Sequence, residues 1–555
     1  MWRILQGALQ KTKLLGRCVD LIYSFTLDEA SQFNRDLLKV LAVVPEWKNS
    51  FVPINRIPSE ILSLIPTHLS SNKDRFHASS VCRHWRRTFL QHGTLWSRIF
   101  FENCGHEHLT TLLKRAKGSA LDVVIDRNAP LHTMTLLSPH VQQIKYLEFQ
   151  SNCWTDILTF PQVGSGPLPL LHTLRMGTLR HFHPHGQPNT LTAPSLPLFS
   201  GAVNLQEFIF TSSWGQNLSV PLKYFVFPNL ATLRLDVYLT TDLNISNVLD
   251  FLKASPTLRN VEAKISGSII SEGIPRKMVV VLPNVKTFSL SVSDDGQHVF
   301  DPAHISCPAA KYTSLTHQTC DWDMAPGLVL FPPPDSWKAI AYQYSTHPVE
   351  EVTLEITDGH PGTLIPYSLT FRSADSTVIR LNFGVIDTDA DEDELNLLYG
   401  KMDLEIFSQA CRTIRSHPLL PHLKRLHIKN EAKIFYVGYA LQMAEAAGEL
   451  LRSLGPLDEL TIHGCDLQVF LAPFIALPEF RRFERVFPLV KQFVVSKPRE
   501  HSTQHCMDAI VELVKSQHEL EKPFDRVTVN MMGVPGKMAE KLRQWVVGTV
   551  DCCEP

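Results

Sequence analysis

The sequence is poor in charge and in the usual signatures of catalysis. It has 53 Lys and Arg against 55 Asp and Glu, so the net charge of −2 gives no global basic field for binding nucleic acid. None of the 11 cysteines forms a C-x-x-C pair, which favours a reduced, cytoplasmic or nuclear setting. The apolar runs are too short for a transmembrane helix, so no membrane association is expected. No H-E-x-x-H, G-x-S-x-G or Gly-rich phosphate loop occurs, so we predict no catalytic residue, no cofactor and no enzyme activity.

The length predicts about three domains or one extended repeat array, because 555 residues exceed what a single core usually organises. The stretch from Met1 to Val19 is basic and contains no acidic residue, and apolar residues continue at helical spacing to Phe25. It fits either a mitochondrial leader or an ordinary packing helix. We favour the helix, because the stretch is poor in Ser and runs on into acidic, helix-like sequence. Residues 1–50 are therefore predicted to be an N-terminal helical segment.

Residues 54–102 predict three short apolar elements. Pro58 suits the first position of a helix, and Pro66 would end that helix after about two turns. Ser71 and Asp74 form a capping-box pattern before a second helix. Its apolar stripe consists of Ala78, Val81, Cys82, Trp85 and Phe89. A third element begins with Leu95, Trp96 and Ile99. Three elements this short enclose little volume, so we expect them to share a core with another surface.

The same residues resemble the F-box. The resemblance lies in Ile57-Pro58-x-Glu60-Ile61-Leu62, Asp74, Ser80-Val81-Cys82-Arg83-x-Trp85-Arg86 and Leu95-Trp96. It implies a three-helix module, taken as residues 51–102, that binds a Skp-type adaptor and through it a cullin. Carried over position by position, the expected adaptor contacts or their support are Ile57, Pro58, Leu62, Ile65, Val81, Cys82, Trp85, Leu95 and Trp96.

Two residues depart from the pattern of this family. Pro66 stands where a bulky apolar residue is usual, which predicts a displaced end of helix one and weaker adaptor binding. His77 stands where a small or apolar residue is commoner. A structural three-helix segment without an adaptor remains an alternative. Cys82 is interpreted as a small core residue rather than a nucleophile, since no histidine is marked as its partner. The Arg83, Arg86 and Arg87 side chains are interpreted as a solvated helix face or as contacts to acidic groups on a partner.

Repeats dominate the remaining sequence. Apolar residues recur at i, i+3 and i+5, often with Pro at i−2, as in "PLLHTLRM" from Pro169 and "PNLATLRL" from Pro228. Successive copies begin at residues 144, 171, 205, 230, 258, 285 and 310, and weaker or later copies begin near 349, 378, 423, 457, 488 and 524. Each copy predicts one strand with two apolar side chains on one face. Helices are predicted in "FYVGYALQMAEAAGELLRSLG" and "CMDAIVELVKSQHEL".

Strands repeated at this interval favour a right-handed parallel coil. The pattern resembles irregular leucine-rich repeats, and the "PINRIPSEIL" opening is similar to large fungal sets of F-box receptors. The predicted fold class is therefore α/β, with a short helical F-box module followed by an irregular leucine-rich-repeat-like βα solenoid with a parallel sheet over 103–555. The region at about 315–380 is poorly phased, and its strands cannot be placed from the pattern.

Two further motifs are weak metal candidates. His181, His183 and His185 could offer imidazoles to zinc, but no fourth ligand with suitable spacing follows. The acidic stretch from Asp387 imitates a calcium loop but has Glu392 and Leu398 where Gly and Glu are required. We therefore predict no metal.

These observations predict a binding protein. The combined resemblance implies the substrate-recognition subunit of a Skp/cullin/F-box ubiquitin ligase, in which the solenoid recruits an unknown protein target for ubiquitination. The alternative is a scaffold, either bound to the adaptor or free, without degradation targets.

Overall fold

A computed structural model describes residues 10–11, 13, 26–69, 71–101, 106–125, 135–150, 167–177, 199, 201–211, 222, 225–239, 245–267, 279–294, 304–319, 348–356, 367–385, 407–408, 410–412, 414–415, 422–430, 440–464, 471, 487–496, 503–531 and 536–553. The chain divides into two compact units, Met1–Leu136 and Leu137–Pro555. Most of the basic N-terminal stretch, the His181–His185 motif and the acidic stretch from Asp387 lie outside the described residues. Among the helices described, none is both long and apolar enough to cross a bilayer.

The first unit is mainly helical. Its helices are α1 (Leu27–Ser50), α2 (Ser59–Leu62), α3 (Asn72–Ser79), α4 (Arg83–Gln91) and α5 (His106–Ala116). Short 3₁₀ turns cover Pro53–Arg56, Ile65–His68 and Gly93–Trp96. Strands β1 (Arg98–Phe101) and β2 (Leu121–Ile125) pair in parallel.

Three local features of this unit differ from the sequence-based prediction. Pro58 is the N-cap of α2 rather than its first helical residue, and α2 has only four residues. The predicted second helix is two helices, α3 and α4, because Cys82 is extended. The Ser79 and Ser80 hydroxyls donate to the Phe76 carbonyl, which satisfies that acceptor locally where α3 ends. The third apolar element is a 3₁₀ turn followed by β1, not a helix.

The second unit has a large sheet of mostly parallel strands. The strands of its first part are β3 (Ile144–Phe149), β4 (Thr173–Gly177), β5 (Glu207–Thr211), β6 (Thr232–Leu239), β7 (Asn260–Gly267), β8 (Val280–Val281), β9 (Thr287–Asp294), β10 (Ile305–Ser306) and β11 (Tyr312–Thr319). Those of its second part are β12 (Val349–Ile356), β13 (Tyr367–Ser373), β14 (Val378–Val385), β15 (Arg425–Asn430), β16 (Leu457–His463), β17 (Val490–Ser496), β18 (Arg526–Asn530) and β19 (Thr549–Cys553). Strands β8 and β10 pair in parallel as a separate two-stranded sheet. A strand lies at or just after each predicted repeat start, so those predictions are confirmed.

The longer helices described in this unit include α6 (Ile245–Lys253), α7 (Ala440–Ser453), α8 (Thr503–Glu519) and α9 (Gly536–Arg543). Helices α7 and α8 lie where the sequence predicted them. Their apolar faces join the strands in one buried cluster, in which Leu450 and Ile510 accompany Leu460 and Phe493. The core therefore lies on the face of the sheet that these helices cover, as expected for alternating strand residues.

Strand order follows chain order except in one region. Strands β3, β4, β5, β6, β7, β9 and β11 pair successively in parallel, and β15 to β19 do the same. Between these two series the order is β11-β14-β13-β12-β15. Strand β13 runs antiparallel to both neighbours. This reversal falls in the region whose strands the repeat pattern could not place, because β13 does not follow that pattern.

A side-chain hydrogen bond that recurs along the chain links neighbouring sequence repeats, just before the strand of each repeat. Asn204 donates to the carbonyl of Pro169 at 2.8 Å, and Asn229 donates to that of Val203 at 2.7 Å. Thr257 and Asn284 continue the series by donating to the carbonyls of Pro228 and Pro256 at 2.9 and 3.1 Å. The residues that follow them are buried. The recurring Asn or Thr before Leu or Val therefore has a structural basis, since the polar residue links neighbouring repeats while the apolar residue packs in the core.

Candidate functional site

Exposed apolar side chains are concentrated in the first unit. Eleven of the twenty large apolar residues that are exposed among the described residues lie between positions 37 and 81. They are Leu37, Leu38, Val40, Leu41, Val43, Phe51, Val52, Ile54, Ile61, Leu64 and Val81. Isolated exposed apolar residues are ordinary, but a concentration of this kind is typical of a surface that binds another protein.

We define the apolar patch as Phe51, Val52, Ile54, Ile61, Leu64 and Val81. Each of these side chains is about half exposed, with Val81 the most exposed at 58 %. Ile61 and Leu64 lie on successive turns, since the Leu64 amide donates to the Ile61 carbonyl at 3.1 Å. The Asn55 side chain connects the turn that contains Ile54 to the start of α4, next to Val81. These residues therefore lie on neighbouring segments of one small module.

Trp85 and Asn55 form the polar contact at this junction. The Trp85 indole N–H donates to Asn55 Oδ1 at 2.8 Å, and the Cys82 thiol lies 3.6 Å from the same oxygen. Trp85 is only 6 % exposed and packs against Phe89 with ring centroids 5.6 Å apart. A buried indole usually has a hydrogen-bond partner, which here is supplied by the N-terminal turn. Trp85 therefore holds that turn against α4 and contributes little surface of its own.

The nine residues predicted from the family resemblance fall into three groups. Pro58 and Val81 are exposed, and Ile57, Ile65 and Cys82 are half-buried. The others are buried, namely Leu62, Trp85, Leu95 and Trp96. The first two groups are available to a partner, whereas the buried residues act through the packing of the module. The exposed residues Ile61 and Leu64 were not in the predicted set, although Ile61 lies within the motif and Leu64 follows it by two residues.

The module rests on α5 through an aromatic and cationic cluster. Phe76 meets the rings of Trp96 and His108 edge-on, with centroids 5.3 and 4.4 Å away. The Arg115 guanidinium lies over the rings of both Phe76 and Trp96, at 4.6 and 4.4 Å. Burial and the nearby Arg115 charge lower the pKa of His108. The α5 helix thus supplies the shared core that the short helices were expected to need.

A buried arginine, Arg75, fixes the start of α3, and no pattern in the sequence indicated this role. Arg75 donates to the carbonyls of Arg98 and Leu69, and Asn72 donates to the Phe100 carbonyl at 2.8 Å. Burial, with a smaller effect of Arg98, lowers the pKa of Arg75 to about 10, so the group stays charged at neutral pH. The capping box that begins this helix is confirmed, because the Asp74 amide donates to the Ser71 hydroxyl at 3.1 Å.

The described residues contain no cluster of three His, Cys, Asp or Glu side chains that could hold a metal. The apolar patch can bind another protein by burying its exposed apolar side chains at the interface.

Comparison with known families agrees with this site. Residues 54–102 match the F-box-like family. No curated protein matches the sequence. The matched segment extends from the turn that contains Ile54 through β1, so it includes most of the apolar patch and its buried support. F-box-like domains generally bind Skp-type adaptors.

Proposed function

We propose that this protein is the substrate-recognition subunit of a Skp/cullin/F-box ubiquitin ligase. The observation that carries the proposal is the F-box-like segment at residues 54–102, in which Ile61, Leu64 and Val81 are exposed. Burying these side chains against an adaptor supplies the apolar free energy of association. In this proposal Ile57, Pro58, Ile65 and Cys82, which are exposed or half-buried, also contact the adaptor. The buried residues Leu62, Trp85, Leu95 and Trp96 would support them through the packing of the module. The adaptor would connect the chain to a cullin.

In this proposal the second unit is an irregular leucine-rich-repeat-like solenoid that recruits a protein target. Three observations support this interpretation. They are the repeated turns, the parallel strand pairs, and the hydrogen bonds by which Asn and Thr side chains link neighbouring repeats. The chain itself would make or break no covalent bond. Its contribution is proximity, since a bound target has a raised effective concentration beside the ubiquitin-conjugating enzyme.

The test is capture of a Skp-type adaptor by the purified full-length chain. The combined substitution of Ile61, Leu64 and Val81 by Ser removes roughly 1 kcal/mol of apolar burial per site, so we expect about a hundredfold weaker binding. Serine replacement of Leu170, Val203 and Leu489 is the matched control, because these residues are equally exposed but lie in the second unit. Equal affinities of the two variants would contradict the assignment of the patch.

Target turnover separates a receptor from a scaffold. Deletion of residues 51–102 should raise the level of a protein bound by the second unit, and proteasome inhibition should have the same effect on the intact chain. A bound protein whose level responds to neither change would favour an adaptor-bound or free scaffold.

A further inference from the structure

One row of residues can be followed across the sheet, each lying just before its strand or at the second position of it. Each of its amides donates to the carbonyl of the residue before it in the row, at 2.7 to 2.9 Å. We define the strand-start row by these bonds. In the first part of the sheet it consists of Lys145, His172, Gln206, Ala231, Arg259, Lys286 and Lys311. It contains no acidic residue.

The last three members of that series are consecutive cations. The Lys286 amide donates to the Arg259 carbonyl at 2.7 Å, and the Lys311 amide donates to the Lys286 carbonyl at 2.9 Å. Adjacent strands lie about 4.8 Å apart, so the three Cα atoms span roughly 10 Å. All three side chains are exposed, and none forms an ion pair with an acidic residue that the structure describes. This arrangement places three exposed positive charges side by side, without a described acidic partner.

The same row has acidic partners in the last part of the sheet. The amides of Lys424, Asp458 and Asp525 donate to the carbonyls of Glu350, Lys424 and Lys491, and the strand register places Lys491 level with Asp458. Lys424 pairs with Glu350 at 2.5 Å, and Lys491 pairs with Asp458 at 2.7 Å. The hydrogen bond to Lys491 lowers the pKa of Asp458, and the Asp458 partner raises that of Lys491. The fold therefore accommodates acidic residues at this position, and a basic row is not a structural requirement.

The reversed strand order separates Lys311 from Glu350. If the strands followed chain order, β12 would lie beside β11 and would bring Glu350 next to Lys311. Instead β14 occupies that place, and the Val378 amide donates to the Lys311 carbonyl at 2.8 Å. Glu350 lies beside Lys424, three strands away.

We propose that Arg259, Lys286 and Lys311 bind an acidic segment of the protein target. This inference rests on the proposed function and names the chemistry of its substrate. Adjacent members of the row are about 4.8 Å apart, which is the distance between adjacent strands. This is close to the 5–6 Å between residues i and i+3 or i+4 of a helix, so Glu or Asp residues on one face of a helix match the three cations. A row of three charges is too short for nucleic acid, which requires a wider basic surface.

The experiment measures binding of a short fluorescent Ala/Glu helical peptide to the full-length chain, with the Gln counterpart of the peptide as the neutral control. The combined Arg259→Gln, Lys286→Gln and Lys311→Gln substitution should weaken binding of the Glu peptide about tenfold, or about 1.4 kcal/mol. Lys424→Gln with Lys491→Gln is the matched control, because these residues occupy the same row but are already paired. It should change affinity less than twofold. Added salt should weaken the wild-type interaction.

Three results would overturn the inference. They are equal binding of the Glu and Gln peptides, equal loss in the two variants, and tighter binding of a single-stranded oligonucleotide than of the Glu peptide at the same ionic strength. Adaptor capture is measured on the same proteins. If the chain binds the peptide but not the adaptor, the proposed function fails and the acidic-segment site stands. If it captures the adaptor and the triple variant binds the peptide normally, only the site fails.

Discussion

The hydrogen bond between Trp85 and Asn55 should control how firmly the N-terminal turn of the module is held. The Trp85→Phe substitution removes the indole N–H but keeps an aromatic ring in the core. The lost hydrogen bond contributes about 1 kcal/mol, and the smaller ring removes apolar burial of about another 1 kcal/mol. Because each 1.4 kcal/mol is about a factor of ten, local opening of the turn should become about 30-fold more frequent.

Amide hydrogen exchange of peptides covering residues 51–62 measures this opening directly. Trp545→Phe is the control, because Trp545 is half-buried against His518 but its indole makes no hydrogen bond among the described residues. Adaptor affinity should fall with Trp85→Phe, since Ile54 is carried by the loosened turn. Unchanged exchange in residues 51–62 would refute the idea that Trp85 holds the turn. Exchange that rises without any loss of adaptor affinity would separate the turn from the binding surface.

Two further predictions concern the other contacts described above. Asn229→Ala should lower the free energy of unfolding by about 1 kcal/mol and speed exchange in β6, because it removes one link to the preceding unit; an unchanged urea midpoint would show that the link is not stabilising. His108 has a folded-state pKa below its ordinary 6.5, so the unfolded state binds the proton more tightly and stability should decrease as pH falls below about 6.5. A His108→Gln variant should flatten that dependence in chemical unfolding between pH 7 and pH 5.

Much of the site could be predicted because it depends on local chemistry. The capping box at Ser71 and Asp74 and the buried Trp85 follow from spacing and residue type alone. The break between α3 and α4 could not be predicted, because the apolar stripe continues at helical spacing through Val81 and Cys82. The burial of Arg75 depends on carbonyl groups of Leu69 and Arg98, which the fold brings together from separate segments.

The strand-start row shows why strand order decides what a repeat pattern can reveal. Several repeats place a basic residue three positions after proline, as in Pro256–Arg259, Pro283–Lys286, Pro421–Lys424 and Pro488–Lys491. These positions look equivalent in the sequence, yet Lys424 and Lys491 are paired, whereas Arg259 and Lys286 have no acidic partner among the residues whose placement is described. The difference depends on which strand lies alongside, and periodicity carries no information about that. Exchanging the charges of Glu350 and Lys424 should therefore preserve their ion pair and leave peptide binding at Arg259, Lys286 and Lys311 unchanged. A loss of binding in this double variant would mean that the two parts of the row act together.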